Sequence, residues 1–448
     1  MNIQTKKDIW LKYYYEQKDF LDGEINDSIN KNRKGDIELT VIDEKGNPII
    51  YKEVEITLTN HEFKHGCNIF LLDEFKDEKL NEKYRETFSK YFNLATIPFY
   101  WNDLEPTQGN PRYDKNSPKI YRRPAPDLCL EYCSEKGIDA KLHCLFYDKF
   151  IPDWLPKNDM KQMEELYEKR FKEIAERYSG KLYEFEVFNE FLSEPGWQNK
   201  SIVSTKRDII EWVMNLARKY FKNDLLMCND GNYIPSLAYS KYRHSYFMML
   251  DAAIKGGVKF DKIGIQNHCY LGARATNQEE LEQDILNGPN PTNIFNPEKI
   301  KQGLDILSAF NIPLEITEIT IPTLGETVED EEIQADLLEL SYSVWFANPL
   351  VTGAVYWNMV DGYAYNSPAW NESNGRGALF NSHLTPKKSA ERLRYLFKEK
   401  WHTNLKLKTD KNGKIKFNGF YGDYNLTISD KTANFKLIRN KKEISIKL

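Results

Sequence analysis

Two glutamates, each at the end of a short apolar run, are the residues of this sequence best suited to carry out chemistry. Glu190 ends the run 183–190, and Glu318 ends the run 312–318. Such a run is typical of a buried strand in a parallel sheet, and the carboxyl ends of barrel strands are where catalytic groups stand. Two carboxyl groups offered to one cleft are what cleavage of a glycosidic bond requires, one as proton donor and the other as nucleophile or base.

The pattern around the two glutamates predicts the elements that would position them. Beyond residue 63, short apolar runs alternate with helical stretches, as in parallel βα units. The predicted strands are 63–69, 94–101, 138–146, 182–189, 225–229, 263–268, 313–317 and 353–357. The predicted helices include 160–178, 205–220, 298–310, 331–346 and 387–400. Eight such units favour an α/β fold of the (β/α)8 TIM barrel type over an open sheet.

The two ends of the chain follow a different pattern. After one or two charged helices, strands 37–42 and 54–58 flank a turn at 43–48, which predicts a β-hairpin or meander. Beyond 401, alternating residues and an Asn-Gly turn predict an antiparallel sheet. We expect both ends to pack together as a small β-rich accessory module. The predicted divisions are an N-terminal helix and hairpin segment (1–62), a catalytic barrel (63–400) and a C-terminal β segment (401–448).

Polar side chains also follow the other predicted strands, at the end where a barrel would bring them together. Any one of them, taken alone, is more often a structural residue. It is the presence of polar residues after so many strands that indicates a functional site. They are His143, Tyr147, Asp148 and Trp154 after the third strand, Asn189 on the fourth, Asn229 and Asp230 on the fifth, Gln266 and His268 on the sixth, and Trp357 and Asp361 on the eighth.

With these residues the sequence resembles glycoside hydrolase family 10, whose best-known members are endo-β-1,4-xylanases, from about 63 to 396. The motifs are short and spread along the barrel. Residues 185–190 resemble the family's Trp-Asp-Val-Val-Asn-Glu strand, 316–318 its Ile-Thr-Glu, His143 with 152–154 its His-to-Pro-x-Trp segment, 263–268 its Val-Gly-x-Gln-Ser-His, 357–361 its Trp-Gly-x-x-Asp, and 377–380 with 386–387 its closing segment.

The resemblance implies a retaining glycoside hydrolase that uses no metal and no cofactor. It implies Glu190 as the acid/base and Glu318 as the nucleophile, with His268 and Gln266 orienting Glu318 and keeping it ionised. The substrate-binding residues expected on this basis are His143, Asn189, Gln266, His268, Trp357, Trp154, Tyr147, Trp101 and Asp361. In loops beyond the strands, Trp197 and Trp370 are predicted to be platforms for sugar rings.

The sequence departs from the family where the next sugar on the nonreducing side would bind. Thr96, Ile97 and Tyr100 stand in place of the family's Glu-Asn-x-x-Lys. The family's Trp-His becomes Tyr147-Asp148, and its Asp two residues past the nucleophile becomes Thr320. We therefore expect a decorated oligosaccharide, another β-glycan or a glycoside conjugate to be a better substrate than plain xylan.

The sequence is also compatible with two other classes of protein. A carbohydrate-binding barrel without catalysis is one, although both glutamates are present. A metal-dependent barrel hydrolase is another, but only His143 and His268 follow strands, with no carboxylate at ligand spacing. The pentapeptide His61-Glu62-Phe63-Lys64-His65 fits the zinc-protease pattern, which needs a helix to bring both histidines to one face. Because it follows an alternating strand, we expect no metal there.

Composition narrows the partners further. The 448-residue chain has a net charge of -5 and no uncompensated basic stripe, which argues against nucleic acid. No apolar run is long enough to span a membrane, and the first ten residues lack the apolar core of a signal peptide, so a cytoplasmic location is expected, or a secreted one if a signal was trimmed. The six cysteines show no Cys-x-x-Cys spacing and are expected to be buried free thiols. The expected partner is an oligosaccharide or polysaccharide substrate.

Overall fold

The computed structural model describes residues 1–192, 200–289 and 294–448, and it confirms the predicted (β/α)8 barrel. Strands are numbered in chain order, and β1 (Lys34–Ile42) and β2 (Glu53–His61) precede the barrel. The barrel strands are β3 (Lys64–Asn68), β4 (Leu94–Pro98), β5 (Asp139–Phe146), β6 (Glu184–Asn189), β7 (Leu226–Asp230), β8 (Lys262–His268), β9 (Leu314–Thr320) and β10 (Val351–Tyr356). All eight are parallel, and β10 pairs with β3 to close the ring.

The barrel strands are buried on both faces. Nearly every residue of β3 to β10 is buried, because helices cover the outside and side chains fill the interior. This is why their sequences are continuous apolar runs rather than strict alternations. A two-residue ladder, β11 (Asn366–Ser367) with β12 (Trp370–Asn371), decorates the loop after β10.

The helices lie close to their predicted positions. Those that follow barrel strands are Glu78–Tyr91, Pro126–Lys136, Met160–Tyr178, Ile209–Tyr220, Ile234–Ser240, Ser245–Lys255, Gln278–Asn287, Pro297–Ser308, Val328–Ala347 and Lys388–Tyr395. Caps set several of the bounds: the Asp159 side chain accepts from the backbone of Gln162, and the Asn296 side chain accepts from that of Lys299. Within the described residues, the helices are too short or too polar to cross a lipid bilayer.

One predicted strand is shorter than expected. The run 94–101 is a strand only as far as Pro98, and a single helical turn, Trp101–Leu104, follows. Pro98 has no N–H to donate to a neighbouring strand, which favours an end to the ladder at this position. Tyr100 therefore lies in the connection, above the end of the strand.

The two ends of the chain form the expected β-rich module, but β1 and β2 are not a hairpin, so that prediction was wrong. β1 lies between β14 (Lys414–Phe420) and β17 (Glu443–Lys447), whereas β2 lies between β13 (Asn404–Lys408) and β15 (Gly422–Ile428), which pairs in turn with β16 (Lys431–Leu437). After the turn at 43–47, the chain makes one bridge, between Ile42 and Pro48, and then leaves for the second sheet. Turn chemistry predicts a reversal of direction but does not specify the pairing partner.

The two sheets pack face to face and rest on the barrel. Phe417 of the first sheet lies 6.1 Å from Tyr424 and 6.5 Å from Phe435 of the second, between ring centroids. At the join, Nε2 of His61 hydrogen-bonds to the Trp401 carbonyl at 2.6 Å. His65 lies on β3, and its Nδ1 hydrogen-bonds to the Tyr91 carbonyl at 2.9 Å. The His-Glu-x-x-His pattern thus lies on strands, with both imidazoles bound to backbone carbonyls.

Candidate active site

A cavity of about 680 Å³ lies at the carboxyl ends of the barrel strands. Each of the eight barrel strands contributes to its lining, either with the strand end or with the loop that follows, so the cavity lies at the face where barrel enzymes place their chemistry. Eight of the site residues predicted from the sequence line it, together with the predicted platform Trp370. They are His143, Tyr147, Asn189, Glu190, Gln266, His268, Glu318 and Trp357.

The two glutamates meet at one amide. Nε2 of Gln266 lies 3.0 Å from Oε1 of Glu190 and 3.1 Å from Oε1 of Glu318. Because a single nitrogen reaches both carboxyl groups, these two oxygens are at most about 6 Å apart. That separation suits the roughly 5–5.5 Å of a retaining glycosidase better than the wider spacing that leaves room for a water in an inverting one.

Glu318 is buried and surrounded by N–H groups. Nδ2 of Asn229 donates to its Oε1 at 2.8 Å, and Nε2 of His268 lies 3.1 Å from its Oε2. Burial raises the pKa of Glu318 to about 8, His143 opposes the rise, and the charge of Glu190 adds to it. Glu318 therefore keeps its proton to a higher pH than an ordinary carboxyl group, which differs from the expectation that His268 and Gln266 keep it ionised, because burial outweighs their hydrogen bonds.

His268 is neutral, and its tautomer follows from its neighbours. Burial lowers its pKa to about 4. Its Nδ1 lies 2.9 Å from the Thr320 hydroxyl, which can donate to it. We therefore assign the ring proton to Nε2, which faces Glu318. Thr320 replaces a family Asp, so the imidazole here is oriented without an added negative charge.

Glu190 is held in an unusual backbone conformation. Its φ is +54°, in the left-handed region that residues other than glycine seldom occupy. Its N–H donates to the Asn229 carbonyl at 3.0 Å, and the Tyr147 hydroxyl donates to its carboxylate. Strained backbone that the surrounding structure holds in place is common at functional sites. Tyr147, which stands where the family has Trp, thus takes part directly in positioning Glu190.

Below the cavity floor, a chain of charges fills the barrel interior. His143 donates through Nδ1 to Glu186, and Nε2 lies 3.0 Å from the Tyr100 hydroxyl. Burial alone would lower the pKa of His143, but Glu186 raises it above its ordinary value. The ammonium of Lys141 lies 2.7 Å from Glu186 and 2.8 Å from Glu315. Glu186 thereby favours the protonated form of His143 beneath Glu190 and Glu318.

Among the described residues, one group has the geometry to hold a metal ion: His143, Glu186 and Glu318, whose donor atoms lie within 4.8 Å of one another. Glu186 is already ion-paired with Lys141 and hydrogen-bonded to His143. Its charge is therefore balanced by protein groups, and the cluster is explained without a cation.

Replacing Lys141 with Met is expected to lower the free energy of unfolding by about 3–5 kcal/mol, because it leaves two buried carboxylates without their shared cation. Chemical denaturation would measure the change. The control is Lys161→Met, which removes an ammonium 87% exposed and 4.0 Å from Glu165, and which should change stability by less than about 0.5 kcal/mol. Equal effects of the two substitutions would show that the internal charges are not coupled as the distances indicate.

Three predicted sugar-binding residues lie outside the cavity lining. Nε1 of Trp101 donates to the Glu105 carboxylate at 3.0 Å, and Nε1 of Trp154 donates to the Glu105 carbonyl at 2.9 Å. Asp361 forms an ion pair with Lys387 at 3.2 Å. These groups are bound to the protein itself, and their contact with a sugar stays a prediction. Trp197, the other predicted platform, lies outside the described residues.

Several lining residues, most of them in loops, are not among the site residues predicted from the sequence. A strand has a period that marks which positions face the cavity, but a loop has none, so only their aromatic and basic character could have suggested them. They are Phe70, Tyr100, Arg122, Arg123, Lys149, Phe150, Gly231, Asn232, Tyr270, Arg274, Tyr365, Ser367, Ala369 and Glu372.

Comparison with known families and sequences gives consistent matches. The model of glycosyl hydrolase family 10 matches residues 64–394. The chain is 26% identical over 411 residues to the anti-sigma-I factor RsgI6 of Acetivibrio thermocellus, covering 90% of this chain and 46% of that protein. It is 24% identical over 369 residues to endo-1,4-beta-xylanase 1 of Arabidopsis thaliana, covering 80% and 33%. The chain thus spans less than half the length of these two relatives.

Solved structures show the same fold. Xylanase 10B from Thermotoga petrophila, in complex with xylobiose, superposes with a TM-score of 0.58 at 18% identity, covering 76% of this chain and 95% of that one. Native xylanase 10B from Thermotoga maritima gives the same TM-score and identity, covering 76% and 96%. At this identity the likeness concerns the barrel and not the substrate.

Proposed function

Because the chain belongs to glycosyl hydrolase family 10, we propose that it cleaves a β-linked glycan or oligosaccharide with net retention of configuration. Glu318 is the nucleophile and Glu190 the acid/base. The observation that carries this proposal is the contact of one amide, that of Gln266, with both carboxyl groups, which keeps the two contacted oxygens within about 6 Å of each other.

In the first step, a carboxylate oxygen of Glu318 attacks the anomeric carbon and the bond to the leaving oxygen breaks. Glu190 gives its proton to that oxygen, so the departing sugar leaves as a neutral alcohol. Because burial favours the protonated form of Glu318, this step requires that Glu318 be ionised and Glu190 be protonated once the sugar is bound. Asn229 and His268 fix the attacking group through two hydrogen bonds.

In the second step, water replaces the departed sugar. Glu190, now ionised, takes a proton from the water while the water oxygen attacks the anomeric carbon. The ester bond to Glu318 breaks in the same step. Asn189 and His143 line the same cavity and provide polar groups for the hydroxyls of the bound sugar. Trp357 lies 5.3 Å from the His143 ring and offers an apolar face beneath that sugar.

The substrate is proposed to be a β-glycan related to xylan but not plain xylan. Relatives named as endo-1,4-beta-xylanases support the general class. The site differs where Tyr100 occupies a position that carries a Lys in the family, with its hydroxyl on His143. Polar groups for an unsubstituted xylose at the neighbouring position are replaced by an aromatic surface.

A carbohydrate-binding barrel without catalysis is the second candidate. It is favoured by the relative that covers 90% of this chain and is named an anti-sigma factor rather than an enzyme. Binding alone needs neither an acid nor a nucleophile, so the presence and spacing of Glu190 and Glu318 speak for hydrolysis.

The proposed function is tested by trapping the covalent intermediate. A panel of 2-deoxy-2-fluoro β-glycosides with a dinitrophenolate leaving group should inactivate the protein and add one fluorosugar to Glu318, located by mass spectrometry of peptides. The Glu318→Gln variant should stay unlabelled under the same conditions. Labelling at another residue would overturn the assignment, and sugar binding with neither labelling nor turnover across the panel would favour the second candidate.

A further inference from the structure

We propose that Arg122 binds an anionic substituent, a carboxylate or a sulfate ester, on the sugar held in the cavity. This inference rests on the proposed function and narrows its substrate class to acidic glycans.

Arg122 is a buried cation on the cavity wall that forms no direct ion pair with any described carboxylate. Its side chain is only 6% exposed, and it lines the cavity. Within residues 1–192, 200–289 and 294–448, no carboxylate lies within ion-pair distance of it. Its guanidinium donates to the Tyr363 carbonyl and, at 3.3 Å, to Oδ1 of Asn358. Both direct acceptors are neutral. The nearest opposing charge, Glu372, acts through Asn358, whose Nδ2 donates to it at 3.0 Å. Burying a charge is costly unless it is directly paired, so a second anion at Arg122 would be favourable.

The neighbouring arginine provides the contrast. Nε of Arg123 lies 2.7 Å from the Asp103 carboxylate, and its guanidinium covers the Tyr100 ring at 4.4 Å. Arg123 therefore has a direct ion pair, whereas Arg122 interacts with Glu372 only at longer range. A guanidinium has five N–H donors in a planar fork that matches a carboxylate or sulfate, and the unused donors of Arg122 supply such a fork.

The backbone at Arg122 is also unusual. Its φ is +61°, in the left-handed region, which carries a cost for a residue with a side chain. Arginine offers no local compensation for this conformation, unlike Asn or Asp. The position therefore keeps a strained arginine that faces the cavity, which is the pattern expected where a side chain contacts a ligand.

The place of Arg122 relative to the reacting pair sets which sugar it would contact. Its guanidinium lies 5.7 Å from the Phe70 ring, and Phe70 lies 5.4 Å from Trp357. The Phe70 ring thus lies between Arg122 and Trp357, the residue proposed to lie beneath the reacting sugar. This is the side of the cavity where Tyr100 replaces a polar group of the family. The substituent it would hold belongs to the sugar above Trp357 or to its neighbour on that side.

The wider charge pattern agrees with an acidic ligand. Besides the two arginines, Lys149 and Arg274 line the cavity, whereas among the described lining residues only Glu372 is an acid apart from Glu190 and Glu318. The chain as a whole has a net charge of -5. Cationic residues lining one cavity of an otherwise acidic protein attract anionic ligands to that cavity.

The test compares 4-nitrophenyl β-glycosides that differ in one substituent: the xyloside with hydrogen on C5, the glucoside with a hydroxymethyl group, the glucuronide with a carboxylate, and the 6-sulfated glucoside. For the wild-type protein we expect kcat/KM at least about tenfold higher for one of the two anionic glycosides than for the glucoside, mainly through KM. The two anionic arms distinguish carboxylate from sulfate. The preference should shrink as salt is added.

Variants locate the effect. Arg122→Met should abolish the anionic preference while the glucoside is still cleaved, and Arg122→Lys should keep part of it, because an ammonium keeps the charge and loses the fork. The control Arg394→Met removes an exposed guanidinium paired with Glu399 at 2.9 Å, and it should leave the preference unchanged.

Two results would overturn the inference. One is a wild-type protein in which the fluorosugar labels Glu318 and neutral glycosides are cleaved as efficiently as anionic ones. The proposed function would then be retained and the anion site at Arg122 would be rejected. The other comes from calorimetric titration of the wild-type protein with glucuronate, glucose 6-sulfate and glucose. Equal affinity for all three overturns the anion site even if no glycoside is cleaved. If Arg122→Met does not fold, these wild-type measurements decide.

Discussion

Replacing Glu318 with Gln is expected to lower kcat by about 10⁵-fold, the scale of losses seen when an enzyme's nucleophile is removed. The amide is nearly isosteric and can keep a contact with Asn229, so substrate binding should change far less than turnover. An initial-rate assay on an aryl glycoside measures both. The matched control is Glu165→Gln, an exposed carboxylate 4.0 Å from Lys161, which should leave kcat unchanged.

The same substitution is expected to raise Tm by roughly 1–3 °C at pH 8. The folded protein holds the Glu318 proton up to a pKa of about 8, against an ordinary value of 4.5. Between these two pH values, the unfolded chain releases a proton that the folded chain keeps, so the free energy of unfolding falls as pH rises. Gln does not titrate. The stability gap between variant and wild type should therefore widen from pH 5 to pH 8.

A gap that stays constant, or narrows, over that pH range would contradict the picture of a buried carboxyl group that resists ionisation. Loss of activity together with a lower Tm at every pH would instead indicate a structural role for Glu318. The two measurements separate chemistry from folding within one variant, because they are expected to move in opposite directions.

Replacing Glu190 with Ala should affect substrates according to their leaving group. For an oligosaccharide, whose leaving oxygen needs a proton, we expect a loss of about 10²–10⁴-fold, the range of general acid–base catalysis. A dinitrophenyl glycoside needs no proton, so formation of the glycosyl ester on Glu318 should stay fast and its hydrolysis should become slow. A burst of dinitrophenolate followed by a slow steady state is the expected time course.

Azide distinguishes the two carboxyl groups. In Glu190→Ala, azide needs no base and can attack the intermediate, so it should restore turnover and give the β-glycosyl azide. In Glu318→Ala, azide can occupy the vacated space and should give the α-glycosyl azide, with inverted configuration. The same anomer from both variants would show that the roles of the two residues are not as proposed. Proton NMR of the products reads the configuration.

The barrel was predictable because its strands must be apolar throughout. Runs such as 182–189 and 263–268 are buried on both faces, and their lengths and spacing identify them without knowledge of their partners. Residues at strand ends, including Glu190 and Gln266, came with that prediction, because the barrel determines where a strand end must lie. The structure brings them into one cavity.

Other features depend on contacts that no local pattern records. Arg122 and Tyr100 line the cavity from loops, whose course is set by packing between elements far apart in sequence. Trp154 follows a strand as predicted, yet its indole faces the Glu105 carbonyl, because the direction of a side chain in a loop is not periodic. The pairing of β1 with β14 and β17 could likewise not be predicted from the sequence, because alternation identifies a strand but not its neighbour.

The sheets built from both ends of the chain have a consequence for biosynthesis. Glu38 of β1 is ion-paired with Lys414 of β14, and 376 residues separate them. At about 5–20 residues per second, a ribosome needs roughly 20–75 s to cover that distance. During this interval β1 and β2 emerge with unsatisfied edges, exposed to other nascent chains, while the barrel is assembled between them. When synthesis is slow or ribosomes are closely spaced on the message, nascent chains should therefore aggregate through the unpaired edges of β1 and β2.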